Sequence, residues 1–266
     1  IYTVDRMFLN KSNPKYLEYT SAAVPTISKL EPQTLSVEDS EKGNQILTPN
    51  LRASYLKFNN TIELILENTT SNVFYVLKGF GKCCIGDGNN IKDMYWNEGD
   101  IFTMPFIDEL LQFESLNDEC IIFYSSDQPL IEFLNCKPKK ARFSPTIYLK
   151  EEMMNEITKF NNEKDAVNRN RNGVLLTNEE MIKEGLNTIT HTMWSLMNSI
   201  GPNVTQKPHR HNSIAIDLCV DIHEEAEEKE QVYTLMGENL NDKNEIINPV
   251  KMLWKKGCTF TTPPGL

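Results

Sequence analysis

The chain holds four histidines, and two of them, His209 and His211, stand one residue apart in "QKPHRHNS", residues 206–213. Alternate side chains of an extended strand face the same way. A strand here projects His209 and His211 together and puts Arg210 and Asn212 on the opposite face. Two neighbouring imidazoles can share one divalent ion, a preference common to zinc, copper, iron and nickel. Two ligands do not complete a site, so a third or fourth must come from elsewhere in the fold. The competing reading is a surface pair on a polar strand. Asp217 shares strand parity with His211 and is the acidic candidate for the same face. His191, in "TITHTMW", reads as a strand histidine satisfied by hydrogen bonds, and His223 as a solvated residue beside an acidic stretch.

The elements that must position these side chains come in two β-rich blocks. Between residues 51 and 135, "NVFYVLKGFGKCCIGDG", "GDIFTMP" and "ECIIFYSS" read as strands broken by glycine-bearing turns, and "SDQPLIEFLNC" as a short helix opening on a proline. Residues 136–187 are charged and rich in asparagine, with helical stretches in "LKEEMMNEITKFNN" and "TNEEMIKEGL". From residue 188 strand-like runs return and continue to residue 266. Residues 1–50 are polar and punctuated by Pro14, Pro25, Pro32 and Pro49, which predicts an extended arm with one short helix near Lys15–Ala23. The predicted organisation is therefore an arm (1–50), a β block (51–135), a helical connector (136–187) and a second β block (188–266). The blocks echo each other: "WNEGDIFTMP" (96–105) and "WKKGCTFTTPP" (254–264) both run Trp, two polar residues, Gly, an alternating strand, then Pro. That repetition predicts an internal duplication.

Composition narrows the function classes. The formal net charge is −10; a phosphate-reading surface needs a Lys/Arg excess, so nucleic acid is not an expected partner. No apolar run approaches the ~18 residues of a membrane span, and "IYTVDRMF" lacks the charged and apolar regions of a signal peptide. No membrane association is expected, and the cytoplasm is the expected location. The six cysteines form no C-x-x-C pair, and most lie in apolar runs, which predicts buried free thiols in a reducing compartment. The acidic run Glu224–Glu230 reads as a solvated loop tip.

Gly257, the five residues "CTFTT", and Pro263-Pro264-Gly265 resemble the second sequence motif of the cupin superfamily, and "HRH" resembles its first. The resemblance covers most of residues 51–266 and implies an all-β double cupin: two antiparallel β-barrels or jelly rolls joined by the helical connector. It makes His209 and His211 metal ligands and places a third histidine just beyond Leu266. The family's glutamate position falls on Ala215 or Ile216, which cannot coordinate, leaving Asp217 or a three-histidine site. In this respect, and in the approach to "PHRH", the chain resembles the gentisate 1,2-dioxygenase and hydroxynaphthoate dioxygenase-like group. Trp194 then matches that group's aromatic residue at the substrate pocket. Asn198 stands where the group carries glutamine, and the acidic stretch lengthens the segment between the motifs. In the first block Gly99 and Pro105 keep the second-motif spacing, but the ligand positions fall on Ile65, Glu67, Asn72 and Leu110. The first barrel is thus expected to lack a metal and to serve packing or dimerisation. The resemblance implies Fe(II), or another divalent ion, and an oxygenase acting on a small hydroxylated acid, aromatic acids included. Asn198 and Asp217 are the candidate catalytic residues, and a homo-oligomer is expected. A metal-dependent isomerase, lyase or decarboxylase, and a non-catalytic small-ligand-binding cupin, are the alternatives.

Overall fold

The computed structural model describes residues 31–85, 92–164 and 172–264. These fall into two compact units: the first is Leu35–Lys207, and the second joins the chain from Pro208 to the described residues before Leu35. The helix expected near Lys15–Ala23 lies outside the described residues.

After β1 (Thr34–Leu35), the first unit opens with helix α1 (Val37–Glu41). Its start is fixed by a reciprocal cap: the Asp39 amide donates to Ser36 Oγ at 3.1 Å, and the Ser36 amide to Asp39 Oδ2 at 3.3 Å. The strands follow as β2 (Ile46–Leu47), β3 (Arg52–Phe58), β4 (Thr61–Ile65), β5 (Ser71–Lys78), β6 (Gly81–Ile85), β7 (Lys92–Trp96), β8 (Ile101–Pro105), β9 (Leu110–Ser115) and β10 (Cys120–Ser126). Helix α2 (Gln128–Phe133), β11 (Thr146–Tyr148), helix α3 (Lys150–Asn161), β12 (Asn172–Leu175), helix α4 (Glu179–Lys183) and β13 (Leu196–Ser199) complete the unit.

One sheet orders its strands β11-β8-β5-β10-β3-β2, and a second orders them β4-β9-β6-β7. The eight strands β3 to β10 thus divide into β8-β5-β10-β3 and β4-β9-β6-β7, all antiparallel. This is jelly-roll order, the double-sheet arrangement to which cupins belong. Alternation on β5 turns Asn72, Phe74 and Val76 to the interior, all at 0% exposure. Phe74 and Val76 meet Phe102 and Met104 of β8 and Trp96, Leu111 and Phe113 of the facing sheet in one core. Phe74 stacks on Phe102 and on Tyr124, each at 4.7 Å between ring centroids. Each fully buried side chain of this size stabilises the fold by about 1.5–3 kcal/mol.

The connector covers this barrel with its own small core. Met153 of α3 packs with Ile101, Leu176, Ile189 and Met193. The Asp100 carboxylate accepts from the Lys150 amide at 2.8 Å and so anchors the start of α3 on the β7–β8 turn.

The second unit holds β14 (Ala215–Leu218), helix α5 (Glu224–Glu228), β15 (Tyr233–Met236), β16 (Val250–Leu253) and β17 (Thr259–Thr262). β14 pairs with β17 and β15 with β16, both antiparallel. Gln33 joins the outer edge of β17, donating its amide to Thr261 Oγ1 at 2.8 Å and accepting from the Thr261 amide at 2.9 Å. The acidic run expected as a loop tip instead forms α5, which has no buried residue; a Glu225–Lys229 pair one turn apart supports it.

The two tryptophan-glycine stretches make matching turns and bonds. Gly99 and Gly257 both adopt left-handed backbone, at φ 90° and 76°. Gly99 donates to the Val76 carbonyl and Gly257 to the Cys219 carbonyl, each at 2.8 Å. Each partner residue donates in return: Val76 N to Asp100 O and Cys219 N to Cys258 O, both at 3.0 Å. Trp96 stacks on Phe102 at 5.3 Å, and Trp254 meets Phe260 edge-on at 5.0 Å. β14, β15, β16 and β17 therefore repeat β5, β6, β7 and β8, the central half of the jelly roll.

Candidate metal centre

His209 and His211 lie on extended chain just before β14, outside any named strand. The strand expected through "PHRH" starts only at Ala215, since no partner strand pairs with residues 208–211 among the described residues. The local alternation nevertheless holds. The two Nε2 atoms stand 3.1 Å apart, with ring centroids at 5.0 Å and planes inclined by 39°. Arg210 points the other way and donates its guanidinium to the Glu238 backbone carbonyl.

This separation suits two chemistries. With one Nε2 protonated and the other not, it is a hydrogen bond. With both nitrogens bare, it suits a single ion: two nitrogens each at about 2.1 Å from a metal lie about 3.0–3.4 Å apart when the ligand angle is between right and tetrahedral. The residues present thus fit two adjacent positions of a metal's coordination sphere. Among the described residues, no cluster of three or more His, Cys, Asp or Glu side chains gathers where an ion could sit. Gly265 and Leu266, the end of the second motif, lie outside the described residues.

Asp217 lies on β14, opposite Phe260 of β17. Its carboxylate accepts from Thr262 Oγ1 at 3.4 Å, and its backbone carbonyl from Thr259 Oγ1 at 2.7 Å. The duplication locates its side chain. Phe260 follows Gly257 by three residues as Phe102 follows Gly99, and Phe102 pairs with Phe74. Asp217 therefore occupies the inward position that Phe74 fills in the first barrel. The neighbouring inward positions correspond as Asn72 to Ala215 and Val76 to Cys219. Cys219 supplies no thiolate, because burial, followed by the neighbouring Glu227, pushes its pKa up to about 12.

In the first barrel the corresponding place is closed. Asn72, on the glutamate position, donates to Thr69 Oγ1 at 2.7 Å and to the Met104 carbonyl at 3.2 Å, and accepts from the Tyr124 hydroxyl at 2.8 Å. A buried amide with its groups paired in this way is a structural network. Sequence reasoning found Asn72 as a lost ligand position. It did not find Tyr124, whose pairing with Asn72 depends on a strand distant in the chain, nor Thr69, three residues before Asn72, nor Thr262 beside Asp217.

The remaining candidates belong to the first unit. Asn198 lies exposed on β13, paired with Gly173 of β12. Trp194, expected to pack in a barrel, is instead 53% exposed on the loop before β13. The strand pattern expected from residue 188 begins only at Leu196, because residues 188–192 form bends and Ile189 and Met193 are buried against α3. His191 is on one of these bends, and its Nε2 lies 2.9 Å from Glu184 Oε2. It makes the hydrogen bond expected of it, though not from a strand.

No family model matches the chain, and no curated protein matches it. Among solved structures, the chain is similar to the EutQ protein of Clostridium difficile, with 16% identity over 38% of this chain and 72% of that one and a TM-score of 0.26. It is similar to protein NMB1881 from Neisseria meningitidis, with 12% identity over 35% of this chain and 98% of that one and a TM-score of 0.28. A salicylate 1,2-dioxygenase from Pseudaminobacter salicylatoxidans matches at 21% identity over 46% of this chain and 37% of the enzyme, with a TM-score of 0.29. The strand order of the first unit is that of a jelly roll. No described helix is long and apolar enough to cross a membrane.

Proposed function

We propose that this chain is a metal-dependent double cupin whose second unit holds the ion, and that it acts as an Fe(II) oxygenase on a small hydroxylated acid, aromatic acids included. The observation that carries this reading is the 3.1 Å approach of His209 and His211 Nε2, a spacing that one ion can bridge. A bound ferrous ion would supply open coordination positions for a chelating substrate and dioxygen.

The chain's own side chains set the rest. His209 and His211 would bind as neutral rings through Nε2, which places the remaining proton of each ring on Nδ1. The histidine expected beyond Leu266 would be the third ligand. Asp217, inward-facing and bonded to Thr262, would accept a hydrogen bond from a substrate hydroxyl or a water and hold that proton near the reacting atoms. The family resemblance makes Asn198 a residue that would orient substrate or a water by hydrogen bonding, and makes Trp194 a substrate-pocket residue. The first barrel, with Phe74 and the Asn72 network in its interior, would be the metal-free packing or dimerisation partner.

The test uses the full-length protein loaded with Fe(II) under anaerobic conditions and then given oxygen and a panel of hydroxylated acids, salicylate and gentisate among them. Oxygen uptake that requires an acid, is lost in His211→Ala and survives His223→Ala is the expected result. Turnover without oxygen would move the reaction to an isomerase, lyase or decarboxylase. Thermal stabilisation by an acid with no turnover would leave a binding protein. No oxygen uptake across the panel rejects the oxygenase.

A further inference from the structure

The first unit carries a second polar site, independent of the histidine pair. A cleft of about 360 Å³ opens between Thr70, Arg142, Glu184 and His191. That volume falls within the range of small-ligand sites, about 300–1,000 Å³.

One wall of the cleft is built in advance. Asp127 is fully buried and accepts four bonds: from the Thr70 amide at 2.9 Å, the Ser71 amide at 3.2 Å, Thr192 Oγ1 at 3.1 Å and the Thr70 hydroxyl. The carboxylate ties the start of β5 to the loop that carries His191, so Thr70 and His191 are held in place without a ligand. Because the Thr70 hydroxyl donates to Asp127 and, among the described residues, meets only Ser71 Oγ besides, at 3.5 Å, its oxygen keeps acceptor capacity for a ligand hydroxyl.

Arg142 and His191 bring basic groups to the same lining, with Glu184 beside them. Among the described residues, Arg142 has no carboxylate within ion-pair distance, whereas His191 is paired with Glu184 at 2.9 Å. An unpaired guanidinium offers a planar fork of donors that matches a carboxylate. Glu184 limits the positive charge of the cleft and disfavours a doubly charged anion.

We infer that this cleft binds a small hydroxylated monocarboxylate, with its carboxylate on Arg142 and its hydroxyl on Thr70. Neither residue belongs to the proposed metal site, so this binding does not depend on a metal.

Calorimetric titration of the metal-free, full-length protein with lactate, acetate and inorganic phosphate at neutral pH tests the assignment. Lactate is expected to bind most tightly, acetate several-fold more weakly, and phosphate weakest. Arg142→Gln, at an exposed position, is expected to weaken lactate binding by about 10-fold or more, the worth of a charged hydrogen bond, and to leave the melting temperature of the free protein unchanged. His211→Ala is expected to bind lactate like the wild type. The inference is overturned if the wild type binds none of the three, if phosphate binds as tightly as lactate, if Arg142→Gln keeps wild-type affinity, or if His211→Ala loses it. The last result would place the carboxylate at the histidine pair.

Discussion

Where the first barrel places Phe74, stacked between Phe102 and Tyr124 at 4.7 Å from each, the second unit places Asp217, bonded to Thr262. The surrounding scaffold is the same in both: a left-handed glycine in the turn donating at 2.8 Å to the chain of the neighbouring strand, a tryptophan three residues before it and a phenylalanine three residues after. The turns and ladder bonds survive duplication because backbone geometry fixes them. The interior position is free to change because its side chain answers only to its neighbours. One unit fills the position with an aromatic ring and gains core energy. The other fills it with a carboxylate, which is stable only where a polar partner, water or an ion accompanies it.

The largest effect expected from breaking this comparison is on stability. Phe74→Ala should destabilise the first unit by about 3–5 kcal/mol, as aromatic-to-alanine changes in a packed core do. Asp217→Ala should change stability by less than about 1.5 kcal/mol, the scale of a single hydrogen bond. Urea unfolding of both variants measures the contrast, and equal losses would mean that the two positions are not equivalent. Next in size is metal affinity. Asp217→Asn keeps an acceptor for Thr262 but removes the charge, and iron or zinc binding should weaken about 10–100-fold, the usual range for a residue that supports the ligands. Binding unchanged in this variant, as followed by metal titration, would separate Asp217 from the site.

The two turn glycines sharpen the comparison at a smaller scale. Alanine at Gly257 meets nothing within 4 Å and suffers only the left-handed backbone, about 1–2 kcal/mol. Alanine at Gly99 suffers the same strain, and its Cβ also falls 2.4 Å from Lys150 Cδ. Its measured loss should equal or exceed that of Gly257→Ala. The smallest effect concerns the tryptophans. Trp254 Nε1 donates to Thr234 Oγ1 at 2.9 Å, whereas the buried Trp96 Nε1 has no hydrogen-bond partner among the described residues. Thr234→Val should cost about 1 kcal/mol, read from the unfolding midpoint together with a shift in tryptophan fluorescence.

Much of this was legible in the chain. The short alternating runs after residue 51 became the jelly-roll strands, and "WNEGD" and "WKKGC" marked equivalent turns because a glycine there permits a backbone that other residues resist. The helix after Asp127 and the helix in "LKEEMMNEITKFNN" formed as their local signals predict. The stretch "TITHTMW" misled, because its alternation resembles a strand while Ile189 and Met193 are drawn into the core under α3. Trp194 misled likewise: a large aromatic residue predicts burial on average, and its neighbours here leave it in solvent.

The sequence by itself determined the duplication, the glycine turns and the pairing of His209 with His211 on one side of an extended segment. All three follow from spacings of a few residues, which backbone geometry converts directly into direction. Only the tertiary structure decided what each interior position meets: Phe74 against Tyr124, Asp217 against Thr262, and Asp127 clamping Thr70 to Thr192. Those contacts join residues far apart in the chain, so they exist only once strand register is set, and register is fixed by the summed packing of whole sheets.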